Sequence, residues 1–142
     1  MASQPLVVER VYNAPSSRVW QALTNEDDMR KWYFDVSGFK PEVGYEFEFT
    51  AGEPGQDPWR HLCKVLEVKP GKLLKHTWRY DGYSGESVVT WELFEEDGKT
   101  RVKLTHEGLD TFPKDVPSFV VSNFEKGWND ILGNTLKNYV NG

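Results

Sequence analysis

Apolar and polar positions alternate from Leu6 to Asn13, with Leu6, Val8, Arg10 and Tyr12 on one face and Val7, Glu9 and Val11 on the other. That period of two predicts a strand. Pro15 then stands where a first helical turn begins, its missing N–H costing nothing there. Val19, Trp20, Ala22 and Leu23 follow at helical spacing. A second short helix is expected from Thr24, whose hydroxyl can cap it, with Glu26, Asp27 and Asp28 in its first turn and Arg30 and Lys31 near its end. From Tyr45 the period returns to two, as Tyr45, Phe47 and Phe49 alternate with Glu46, Glu48 and Thr50.

Further strands are predicted at about His61–Lys69, Leu73–Tyr80, Ser87–Glu95 and Thr100–Glu107. Pro70-Gly71 suits the centre of a type II turn, and Asp97-Gly98 a tight hairpin, so these strands run antiparallel. Gly52–Asp57 reads as a mobile loop, and Gly108–Lys114 as the connection to a long final helix beginning near Val116 and reaching Val140. About 24 helical residues span about 36 Å. A helix of that length requires a curved sheet to wrap it. The pattern is that of an α+β domain: one strand, two short helices, an antiparallel run and a long C-terminal helix.

Composition sharpens this reading. The 142 residues suit one domain, and the aromatic share of 14%, with 6 Trp, is high. Burying that many rings requires a large core, or a core with a hollow lined by rings. A net charge of -5 without a basic run argues against general binding to nucleic acid or to anionic membrane surfaces. Cys63, the only cysteine, cannot form an internal disulfide, and the N-terminus lacks a signal-peptide pattern. No apolar stretch approaches the roughly 20 residues of a membrane span. A cytoplasmic location is expected.

Candidate chemistry is sparse. His61 and His76 have no spacing that makes a metal site, so no metal and no cofactor are expected. His106 lies on the parity of Val102 and Leu104, facing inward near the end of the last strand, where a hydrogen-bonded core role competes with a direct functional one. Cys63 reads as a small buried apolar side chain. Glu46, Glu48, Glu92, Glu95 and Glu96 read as solvated surface groups, and no phosphate loop or Ser-His-Asp order is visible. No catalytic constellation emerges.

Four segments, "VERVYNAPSSRVWQALTN" (8–25), "LEVKPGKLLKHTW" (66–78), "THEGL" (105–109) and "GWNDIL" (127–132), occur in this order. Together they resemble the single-domain family similar to the C-terminal domain of the activator of heat-shock protein 90 ATPase, within the START-like (SRPBCC, helix-grip) superfamily. The resemblance covers nearly the whole chain, 1–142, as one START-like domain. It implies a sheet of roughly seven antiparallel strands gripping the long helix around a cavity for a hydrophobic small molecule. The family name brings a chaperone forward as a second candidate partner and stress response as a setting. The eukaryotic activator has a separate chaperone-engaging domain with no counterpart in the sequence, so little stimulation of the chaperone ATPase is expected. A small cyclase or lyase is the enzymatic alternative.

The cavity so implied draws on Phe47, Phe49, Cys63, Trp78, Trp91, His106, Phe124 and Trp128, the aromatic members of which equally suit a solid core. Its mouth would be framed by Trp32–Asp35, including Phe34, with 52–59 and 108–117. Two glycines interrupt "FEKGWNDILGNTLKNYV" (124–140), each costing a helix about 1 kcal/mol relative to alanine. At about 100° per residue, Gly127 falls at the edge of the face carrying Phe124, Trp128 and Ile131, where a missing side chain would leave cavity space. Gly133 falls on the opposite, solvent face, where it suits helix curvature or close approach of another chain.

Overall fold

A computed structural model of the chain describes residues 5–32, 39–51, 59–83, 85–112 and 121–141. Strand β1 (Leu6–Tyr12) is followed by helices α1 (Ser16–Thr24) and α2 (Glu26–Trp32). Strands β2 (Glu46–Ala51), β3 (Trp59–Lys69), β4 (Leu73–Tyr80), β5 (Ser87–Glu96) and β6 (Lys99–Glu107) come next. The C-terminal helix comprises α3 (Val121–Asp130), a π-helical stretch (Ile131–Leu136) and α4 (Lys137–Asn141). The six strands of the described residues form one antiparallel sheet in the order β1-β6-β5-β4-β3-β2. The sheet curves about the C-terminal helix, with the short helices after the first strand, so the helix-grip architecture holds.

Local chemistry accounts for the joints. Gly71 has φ +76°, and the Lys72 N–H reaches the Lys69 carbonyl at 2.8 Å, closing the β3–β4 turn. Asp97 and Gly98 have φ +52° and +76°, the two left-handed residues that a type I′ hairpin requires. Two helix starts differ from expectation by one residue. Pro15 occupies the N-cap of α1 rather than its first turn, and the Glu95 carboxylate accepts the Ser16 N–H at 2.6 Å. Asn25, not Thr24, caps α2: its Oδ1 accepts the Asp28 N–H at 3.1 Å, while the Thr24 hydroxyl donates back to the Trp20 carbonyl. The start expected for the long helix near Val116 lies outside the described residues.

Inward side chains of the central strands are buried. Leu74, His76, Trp78 and Tyr80 of β4 face the same interior as Ser87, Val89, Trp91 and Leu93 of β5 and Thr100, Val102, Leu104 and His106 of β6. Phe124, Trp128, Leu132, Leu136 and Val140 of the C-terminal helix close that interior from the other side. Within the described residues, no helix is long and apolar enough to cross a membrane.

Candidate functional site

The aromatic cluster where helix meets sheet is closely packed. Trp128 crosses Trp78 at 5.3 Å and Trp91 at 5.6 Å between ring centroids, and Phe124 meets His106 at 5.3 Å. Phe49 packs on Trp78 at 5.5 Å and stacks on His61 at 4.4 Å. Cys63 is buried on β3 opposite Phe47, and burial pushes its thiol well above the usual range. Phe112 stacks on Phe124 at 6.0 Å, and the Thr111 hydroxyl donates to the Gly108 carbonyl at 2.7 Å and lies 2.9 Å from the Glu86 carbonyl. The described part of the 108–117 segment, 108–112, thus packs on the C-terminal helix and on Glu86 just before β5, and residues 113–117 lie outside the described residues. Phe34 and residues 52–58 lie outside the described residues.

His106 sits at the centre of this cluster with no exposure. Trp128 Nε1–H donates to its Nδ1 at 3.0 Å, so the neutral ring carries its proton on Nε2. That proton points to Ser87 Oγ at 2.7 Å, and the serine hydroxyl in turn donates to the Trp78 carbonyl at 2.7 Å. The Ser–His distance is that of a nucleophile and its base, but the direction is wrong. The imidazole cannot take the serine proton when its own proton occupies the contact and its other nitrogen is already engaged. Burial, with His76 adding to it, holds the His106 pKa down to about 3. The chain of donors is complete, and His106 is a structural hub.

The two glycines are placed differently from the helical-wheel reading. Gly127 is exposed, and a Cβ built on it meets nothing within 4 Å, so it keeps no interior space and is removed from the cavity lining. Gly133 is half-buried within the π-helical stretch, and its Cβ would lie 3.5 Å from Arg10 Nε of β1. For Gly127 the wheel was centred on the wrong stripe: Phe124, Trp128, Leu132 and Leu136 are buried, whereas Ile131 is half-buried and Thr135 exposed. Beyond Asp130 the π-helical stretch shifts the residues from an ideal period, which turns Gly133 towards β1.

Void space lies elsewhere, beneath the two short helices. Leu23 of α1, Met29 and Trp32 of α2 and Phe39 enclose it from above, and Phe47, Leu74, His76 and Trp91 form its floor on the sheet. It offers about 10 Å³ to the centre of a water-sized sphere. That is the lower limit for one water, roughly 10–15 Å³, and far below the few hundred expected. Trp32, Phe47 and Trp91 are the predicted site residues it brings together. Phe49, Trp78, His106, Phe124 and Trp128 belong to the adjoining packed cluster, which Trp91 links to the void.

His76 is the polar member of that lining, and weighing it only as a metal ligand hid its place. Its inward direction was legible in the alternation Leu74, His76, Trp78, Tyr80. Nδ1 lies 2.9 Å from the Thr77 carbonyl, which can only accept, so Nδ1 carries the proton. Burial lowers the His76 pKa to about 4, partly offset by that hydrogen bond, and the ring is neutral at pH 7. A bulge lies opposite: Val65 pairs with His76 and Glu67 with Lys75, leaving Leu66 as the extra residue. No group of three or more metal-ligating side chains gathers among the described residues.

Known proteins place this geometry. The crystal structure of a Chromobacterium violaceum protein superposes with a TM-score of 0.82 at 22% identity, covering 97% of each chain. A Mesorhizobium loti protein gives 0.76 at 26% identity over 96% of each chain. DynU16, from the dynemicin biosynthetic locus, gives 0.78 at 23% identity, over 96% of this chain and 47% of its own. No curated protein matches significantly. A profile of the activator of Hsp90 ATPase homolog 1-like proteins matches residues 13–141. With nine-tenths of its length under that profile and a helix-grip sheet to match, the chain belongs to the activator of Hsp90 ATPase homolog 1-like family.

Proposed function

We propose that this domain binds a small, largely apolar molecule beneath α1 and α2. The observation that carries the reading is the void itself, a gap in a close-packed interior walled by seven apolar side chains and one neutral imidazole. Among the described residues, no Asp, Glu, Lys or Arg borders it. A ligand larger than water requires the roof to move. The roof is built for movement: α2 has seven residues, and flexible Met29 is one of its two contributions. Polar contacts that hold it include Trp32 Nε1–H to the Ala22 carbonyl at 2.7 Å, and Asp28 accepting from Gln21 at 3.0 Å and from Tyr139.

Titration with the uncharged dye Nile red, alongside native mass spectrometry of protein purified from its own host, tests this. Saturable uptake of one dye per chain, and a co-purifying mass of a few hundred daltons, are expected. A chain that takes up no dye and retains no mass overturns the proposal.

A further inference from the structure

His76 Nε2 has no hydrogen-bond partner among the described residues, although the side chain is only 4% exposed. With Nδ1–H committed to the Thr77 carbonyl, Nε2 offers a lone pair. His76 lies on the floor of the void, and the other seven lining residues are apolar or aromatic. Among the described residues, a water in the void would have that single acceptor as its polar wall, whereas buried waters ordinarily make about three hydrogen bonds. Such a water is poorly held, and a ligand group that donates to Nε2 replaces it with gain.

The partner's charge follows from the same walls. A carboxylate has no proton to give Nε2, and among the described residues no cationic side chain borders the void to offset its desolvation. An ammonium donates, but among the described residues no carboxylate lines the space to balance it. A neutral hydroxyl supplies the donor without a buried charge. Resting on the ligand-binding reading above, we infer that His76 Nε2 is the polar anchor of the site and that the ligand is an uncharged apolar molecule with one terminal hydroxyl. The register bulge at Leu66 sets the backbone opposite His76, which is where a side chain with this task needs its direction fixed.

Displacement of Nile red by three ten-carbon chains at pH 8 tests the assignment: 1-decanol, its methyl ether and decanoate. The parent is expected to prefer the alcohol to the ether by about tenfold, the factor that 1.4 kcal/mol represents, and to bind decanoate at least tenfold more weakly than the alcohol. In His76→Phe the alcohol-to-ether ratio should fall to about one. If that variant does not fold, ¹⁵N spectra of the parent serve instead: decanol should shift the His76 Nε2 resonance, and the ether should not. Equal binding of alcohol and ether by the parent, or a preference for decanoate, overturns the hydroxyl anchor while leaving an apolar site intact. Failure of all three chains and of the dye overturns the ligand-binding reading and the anchor with it.

Discussion

Two buried imidazoles couple this interior to pH. Burial holds His76 at about 4 and His106 at about 3, both below the 6.5 of an unfolded chain. Between those limits the unfolded state binds more protons, so the stability they contribute is complete above pH 6.5 and is lost as pH falls towards 4. Two protons correspond to a slope of up to roughly 3 kcal/mol per pH unit. Urea midpoints should therefore drop steeply between pH 6.5 and 4, and His76→Phe should flatten the curve; equal slopes for parent and variant would contradict the assignment. Gly127 is simpler. Exposed, with open space at its Cβ position, it should accept alanine with a gain of up to about 1 kcal/mol and no change in dye binding. Lower thermal stability in that variant would show that the glycine is needed.

Elements are joined here by single side chains reaching between them. The Tyr12 hydroxyl, fully buried on β1, donates to the Leu132 carbonyl at 2.7 Å within the π-helical stretch, and Arg10 donates to Asn129 at 2.7 Å one turn earlier. These bonds fasten the C-terminal helix to the edge strand where its winding is irregular. Tyr12→Phe keeps the ring and removes the donor, so it should cost about 1–2 kcal/mol and speed amide exchange across 131–136. Exchange unchanged there would mean that packing alone sets the winding. The hairpins were legible at this scale because Pro70-Gly71 and Asp97-Gly98 act on their immediate neighbours, whereas the pairing of β1 with the distant β6 was not. The capping of α1 was not, since its partner Glu95 lies on a different element.

Across the whole molecule, the high aromatic content left a solid core and a ring-lined hollow equally open, and most of the rings pack. Among the described residues, an apolar interior space remains where the short helices meet the sheet. Met29→Ala should enlarge that space, costing roughly 2–5 kcal/mol and strengthening dye binding; a destabilised variant with unchanged dye binding would place the dye elsewhere. The sequence by itself determined the antiparallel neighbours, the turns and the inward parity of Trp78, Trp91 and His106, because periodicity and turn chemistry act over a few neighbouring residues, while the helix-grip family was legible through the resemblance of four motifs. Only the tertiary structure decided that Gly127 faces solvent, that His106 is engaged at both nitrogens, and that His76 borders the void. Those outcomes depend on how α1, α2, β2, β4, β5 and the C-terminal helix come together, and a void lined by both Leu23 and Trp91 leaves no periodic mark on the chain between them.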